Sequence, residues 1–250
     1  MIYFVGAGPG DPELLTLKAA RLLRQAQVCV YAGSLVAAEI LRELPADCIR
    51  HDSAELHLEQ IVAILRDAHA QGKNAVRLHS GEPALYGAIA EQMRSLDAQK
   101  IPYTQVPGIS SFQAAAAALQ VELTVPEVAQ TVVLTRSPGR TPMPGEETWA
   151  QIFRPDATYC LFLSVDQIAK LVPQIAERMG FDCPCAVVYH ASRPDQQIFQ
   201  GTLENIAAQV EAAGIRSTAQ ILIGRALSKR LPASSRLYAQ DFSHGFRAAP

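Results

Sequence analysis

Apolar runs of strand length alternate with helical repeats from the first residues of this 250-residue chain. The runs at 2–5, 27–31, 47–51, 74–79 and 102–106 read as strands. Helical patterns fill the intervals. In LHLEQIVAILRDAHAQG, Leu58, Ile61, Val62 and Leu65 recur at i, i+3, i+4 and i+7, and Gly72 closes the pattern. Pro83 stands where a first helical residue would stand, ahead of ALYGAIAEQM. Parallel strands need a crossover, usually a helix, so this alternation predicts a mostly parallel, doubly wound α/β sheet. Ligands of such sheets bind beyond the carboxyl ends of the strands.

The rhythm breaks near residue 121, where VELTVPEVAQ reads as a linker. After it TVVLTR, ATYCLFL, CAVVYH and AQILIG are strand-like. Two helical patterns lie among them. One carries Ile168, Leu171, Val172, Ile175 and Met179 on one face; the other carries Leu203, Ile206, Ala207 and Val210. We therefore expect a first α/β domain over 1–121, a second α/β domain with a mixed sheet over 122–230, and a partly ordered tail over 231–250.

Composition removes several function classes. A formal net charge of −2 offers no basic field for nucleic acid or an anionic membrane surface. No run approaches the roughly 18 apolar residues of a spanning helix, and no targeting signal is visible, so a cytoplasmic location is expected. Five irregularly spaced cysteines argue against a disulfide framework. Cys183-Pro-Cys185 lacks a second Cys or His pair at zinc-site spacing, so no metal is expected.

The loop after the first strand, VGAGPGDPELL, invites comparison with the dinucleotide fingerprint G-x-G-x-x-G. Gly6, Gly8 and Gly10 have the wrong spacing for it. Pro9 has no N–H to give a phosphate, and Asp11 adds negative charge where amides are wanted. Tyr31 stands where a ribose-binding acid belongs. A nicotinamide-dependent oxidoreductase is thus disfavoured. A plain glycine turn would connect strand to helix, but three glycines in five residues cost unfolded-chain entropy. They make more sense where backbone must approach a ligand or another loop. LHSGEPALYG after the fourth strand and VPGISSF after the fifth have the same character. All three should converge on one sheet edge.

Taken together, VGAGPGDPELLTLKAARLL, HSGEPALYG and VPGISSFQAAAAAL resemble the tetrapyrrole methylase family, S-adenosylmethionine-dependent enzymes that methylate corrinoid and sirohaem precursors. The likeness runs from residue 1 to about 228. VYAGSLV, HDSAELHLEQI, QTVVLTRSPGRTPMP and YHASRPDQQIFQGTLENI point within it to the corrin-ring branch. The resemblance implies two αβα domains with a trough between them, a homodimer, a tetrapyrrole substrate, and S-adenosylmethionine leaving as S-adenosylhomocysteine. Carried over by position, Pro9, Ser80, Gly81, Glu82, Leu85, Ser110 and Ser111 match cofactor positions, as do Leu163, Ala191 and Ala219 from the second domain. Gly8, Asp11, Tyr86, Arg136 and Arg140 are the expected substrate-side residues. The family usually has Gly-Asp-Pro in its second loop; this chain has Gly81-Glu82-Pro83. If Glu82 bonds local amides the exchange is mild; if it must reach a substrate atom the geometry shifts.

A methyl on a sulfonium is already activated, so positioning and water exclusion should dominate over acid–base work. No G-x-S-x-G elbow and no H-E-x-x-H occurs. Asp11, Glu82 and His79 are the candidates for moving a proton, though His79 reads more simply as a packed histidine. A many-carboxylate substrate calls for arginines, and Arg77, Arg136, Arg140 and Arg193 are the candidates. Asp52 is placed to cap the helix beginning near His57.

Overall fold

The structure, a computed structural model, describes residues 1–33, 35–139, 141–228, 239, 242–243 and 245–247. Arg140 and most of the tail expected over 231–250 lie outside the described residues. The chain divides into two compact units. One is Met1–Ala114 with His190–Gln196; the other is Ala115–Tyr189 with the described residues from Gln197 onward. The division thus falls earlier than residue 121, and a short segment near 190 groups with the first unit.

The first unit holds a five-stranded, all-parallel sheet in the order β3-β2-β4-β1-β5. Its strands are β1 (Ile2–Gly6), β2 (Val28–Tyr31), β3 (Ile49–Asp52), β4 (Ala75–His79) and β5 (Tyr103–Val106). Alternation along these strands fills two cores. Val5, Cys29, Val76, Leu78 and Val106 pack with α1 (Leu17–Arg24) and α2 (Ala38–Leu41). Ile2, Phe4, Val28, Val30 and Ala75 pack with α3 (Leu58–Ala70) and α4 (Ala90–Ala98). Burial on both faces is why the central strands β1, β2 and β4 are mostly apolar, while the edge strands β3 and β5 carry exposed polar residues. The Leu58–Leu65 periodicity marks α3, whose Ile61, Val62 and Leu65 are buried.

Two local expectations are corrected. The helix expected from Pro83 begins only at Ala90. Tyr86 and Ala88 take left-handed backbone (φ 57° and 49°), and Gly87 lies so close to the Pro83 carbonyl that an added Cβ would sit 2.2 Å from it. That geometry is incompatible with a continuous right-handed helix. Asp52 does not cap α3. Its Oδ1 accepts from the Ala54 amide (2.9 Å), capping the short turn Ser53–Glu55, and from the Gly33 amide (3.0 Å). The α3 cap is a reciprocal box between His57 and Gln60.

The second unit holds a mixed sheet in the order β6-β7-β10-β8-β9. Here β6 (Thr131–Arg136) and β7 (Ala157–Phe162) are parallel, while β8 (Pro184–Tyr189), β9 (Gln197–Thr202) and β10 (Ala219–Ile223) pair antiparallel. The helix α6 (Ile168–Met179) buries the expected face, and α7 (Ile206–Ala212) buries Ile206 and Val210, against Tyr159, Leu161, Val187 and Ile221; Leu203, expected on that helix, is buried ahead of its start. Sequence reading missed β9. It is an edge strand with only Ile198 and Phe199 between polar residues and glycine, so it has no apolar run to betray it. The remaining helix, α5 (Ser111–Leu119), follows β5. All five cysteines are buried free thiols, and burial pushes Cys29 and Cys160 up to about 12 and Cys183 to about 11. Among the described residues no helix is long and apolar enough to cross a membrane.

Candidate active site

Parallel registry brings the ends of β1, β4 and β5 side by side: Gly6 pairs with His79, and Val5 with Val106. The three glycine loops leave from these ends and meet backbone to backbone. The Ala7 amide donates to the His79 carbonyl (2.7 Å). Gly8 and Gly81 exchange both bonds, with Gly8 N to Gly81 O at 3.3 Å and Gly81 N to Gly8 O at 2.8 Å. A Cβ on Gly6 would stand 2.6 Å from Gly108 Cα, and one on Gly108 would stand 2.2 Å from the Gly81 carbonyl oxygen. No side chain fits at either position.

The same bonds leave the first loop unable to cradle a diphosphate. Its Ala7, Gly8 and Asp11 amides are committed to His79, Gly81 and the Ser192 hydroxyl. Pro9 has none to give. A diphosphate cradle needs a fan of unspent amides, and this loop does not present one. Its geometry offers instead a close, uncharged backbone surface.

Glu82 joins the second loop to the third. One carboxylate oxygen accepts from Ala84 N (2.8 Å) and, more weakly, Gln105 Nε2 (3.4 Å); the other accepts from Gly108 N (2.9 Å). Its charge is therefore absorbed by local amides, the mild case of the glutamate-for-aspartate exchange. Ser110 is buried at the start of α5, where its carbonyl accepts from Gln113 and its amide donates to the Gln113 side chain. Pro9, Ser80, Leu85 and Ser111 are half-buried around this cluster, while Tyr86 is exposed.

His79 lies on the α3–α4 face, stacked on Phe4 at 6.2 Å. Its Nε2 is buried without a partner. Burial, then the nearby Arg77 charge, lowers its pKa to about 3, so the ring is neutral at ordinary pH. Arg77 is not on a ligand-facing surface. It is buried, donates to Gln92 Oε1 (3.1 Å) and the Val30 carbonyl (3.2 Å), and desolvation lowers its pKa to about 10. Asp11 caps the turn Pro12–Leu14 by accepting from Glu13 N at 2.8 Å.

In the second unit, registry groups another set. Arg136 pairs with Phe162, Ile221 with Leu161, and Ala219 with Tyr189. The end of β7, where Leu163 follows, and the start of β10 at Ala219 therefore share one sheet edge. Leu163 is left-handed (φ 52°) and 67% exposed, an unusual place for a leucine. Ser164 holds it there: its hydroxyl accepts from Ser137 N (2.8 Å) and donates to the Phe162 carbonyl (2.6 Å). Sequence reading passed over Ser164, since a lone serine after a strand gives no signal. Arg136, expected to face substrate, donates to the carbonyls of Ser137, Thr141 and Pro142 and so closes its own loop. Ala191, expected from the second domain, is buried two residues beyond β8 in the segment that groups with the first unit.

The tetrapyrrole (corrin/porphyrin) methylase family matches residues 1–207. This chain belongs to that family. The methylase is 47% identical over 246 residues to a precorrin-4 C(11)-methyltransferase of Pseudomonas aeruginosa, covering 98% of both chains. Its fold matches a cobalamin biosynthetic enzyme, cobalt precorrin-4 methyltransferase, with a TM-score of 0.87 and 41% identity over 91% of this chain and 95% of that one. It also matches a uroporphyrin-III C-methyl transferase from Thermus thermophilus complexed with S-adenosylhomocysteine. That TM-score is 0.74, at 28% identity over 90% of this chain and 98% of the other.

Proposed function

We propose that the methylase transfers a methyl group from S-adenosylmethionine to C11 of precorrin-4, or its cobalt complex, in corrin-ring biosynthesis. The observation that carries this is the triple glycine contact of Gly6, Gly81 and Gly108 at the carboxyl edge of a parallel sheet. It stands in a chain nearly half identical to a precorrin-4 methyltransferase over its whole length. The committed amides and the unsuitable Pro9 fit a cofactor without phosphates.

We assign cofactor binding to Pro9, Ser80, Gly81, Glu82, Leu85, Ser110 and Ser111, and the same role to Leu163, Ala191 and Ala219. Gly8, Asp11 and Tyr86 are assigned to the substrate. When bound, the cofactor supplies a methyl on a positively charged sulfur, which leaves as a thioether. The chain's own part is to position and to dry the site. Fixed geometry of two reactants can contribute up to about 7–11 kcal/mol, and the hydrogen bonds between the loops serve that positioning. Glu82, with both oxygens bonded to amides, acts by holding two loops together. His79, neutral and buried, is not an imidazolium acid at neutral pH. A cytosolic location accords with five unpaired buried thiols.

Methyl-labelled S-adenosylmethionine and precorrin-4, with and without cobalt, test the reading. Carbon-13 signal at C11 is the expected result. Label at another ring position, label on uroporphyrinogen III alone, or thermal stabilisation by NAD and not by S-adenosylhomocysteine would overturn it.

A further inference from the structure

We infer that Arg193 is an anchor for a carboxylate of a bound ligand, a role that rests on the methyltransferase reading only for the ligand's identity. The segment His190–Gln196 leaves β8 and returns at β9, yet it groups with the first unit. It is a self-knit strap. Arg193 N donates to the His190 carbonyl (2.9 Å), Ser192 N to Gln196 Oε1 (2.8 Å), and the His190 ring meets Asp195 Oδ2 at 2.7 Å. His190 and Ser192 are left-handed (φ 48° and 70°). Ser192 Oγ accepts the Asp11 amide at 3.1 Å, which fastens the strap to the first glycine loop.

Arg193 is laid directly on that loop. A Cβ at Gly10 would come within 2.5 Å of Arg193 Cγ and 2.9 Å of its Nε, so Gly10 is the groove in which the arginine stem lies. Nη2 donates to the Leu35 carbonyl, in the loop after β2. Nε is buried without a partner. Among the described residues no carboxylate lies within ion-pair distance of this guanidinium; Asp195 is paired with His190 instead.

An unpaired arginine on a surface gains entropy by swinging into water. This one is pinned at both ends of its side chain and half-buried, and the one carboxylate that feels its charge, Asp195, lies beyond ion-pair distance and is bonded to His190. That is the preorganised state of a residue awaiting a planar anion. Arg77 and Arg136 differ, since their donors serve Gln92 and protein carbonyls. Two ligand carboxylates share the required chemistry: the acidic arms of the macrocycle and the amino-acid carboxylate of the cofactor.

Arg193→Met and Arg193→Lys separate them. Calorimetry measures the Kd of S-adenosylhomocysteine and of its decarboxylated analogue, and steady-state kinetics measure KM and kcat for precorrin-4. A charge-assisted bond predicts a loss of about 10- to 100-fold in Arg193→Met, partly restored in Arg193→Lys. If the cofactor carboxylate is held, Kd rises for S-adenosylhomocysteine and not for the decarboxylated analogue. If a macrocycle carboxylate is held, KM rises with kcat and the cofactor Kd unchanged. Equal losses for both cofactor analogues, or constants unmoved in both variants, would overturn the anchor and leave a structural strap. Should Arg193→Met unfold, Arg193→Lys with a matched Tm carries the test. A wild-type protein that never methylates precorrin-4 defeats the functional reading, and the calorimetric arm then decides the anchor alone.

Discussion

Replacing Glu82 by glutamine separates a positioning carboxylate from a catalytic one. In the wild type, the two oxygens accept Ala84 N at 2.8 Å and Gly108 N at 2.9 Å. The carboxamide keeps one acceptor and turns an NH2 toward the other amide, so one bond becomes neutral and the other becomes a donor facing a donor. Hydrogen bonds to a charged group contribute about 1.5–3 kcal/mol and neutral ones about 1. The half-buried site leaves the expected loss near 2 kcal/mol, concentrated on the link between the second and third loops. Those loops are proposed to hold the cofactor, so the Kd of S-adenosylhomocysteine should rise about 10- to 30-fold, since 1.4 kcal/mol is tenfold. Amide exchange at Gly108 should quicken. Saturating cofactor should restore most of kcat, because a lost general base would instead cost about 10²–10⁴ in rate at any cofactor concentration. Glu82→Asp should keep the Ala84 bond and lose reach to Gly108, an intermediate phenotype. Unchanged Kd and unchanged Gly108 exchange in Glu82→Gln would refute the loop-bridging account.

Other expectations follow from the same geometry. Gly8→Val forces a β-branched residue to φ 70°, with its Cβ 3.2 Å from the Leu14 carbonyl, so S-adenosylhomocysteine binding should be abolished while circular dichroism stays near native. His79 is neutral when folded down to a pKa of about 3, against 6.5 unfolded. Its contribution is intact above pH 6.5 and is lost as pH falls toward 3, so denaturant melts should show about 2 kcal/mol less stability at pH 5 than at pH 7 from this residue alone. His79→Phe should flatten that part of the profile. Arg136→Ala opens the loop that its guanidinium closes onto Ser137, Thr141 and Pro142, and limited proteolysis should cut there faster than in the wild type.

Much of this molecule is dictated by local sequence. Strand-length patterns and helical period place nine of the ten strands among the described residues and the faces of α3 and α6, because burial on a sheet or helix face repeats at short, fixed intervals. Three glycine-rich turns at strand ends already imply close backbone approach. Their convergence follows once the sheet is parallel. Chain order alone does not say where individual side chains spend their donors and acceptors. Arg77, Arg136 and Arg193 are alike as letters, yet one is buried on Gln92, one clasps its own loop, and one is pinned on Gly10 with its Nε unpartnered. Asp52 serves a glycine 19 residues earlier in place of the nearby helix. The edge strand β9 and the left-handed turn at Tyr86 and Ala88 are likewise tertiary outcomes. The physical reason is common to all of them. Periodicity records which face is dry, a property of neighbours along the chain. A hydrogen bond or an unpaired charge records what lies opposite, and only the folded chain brings those partners together.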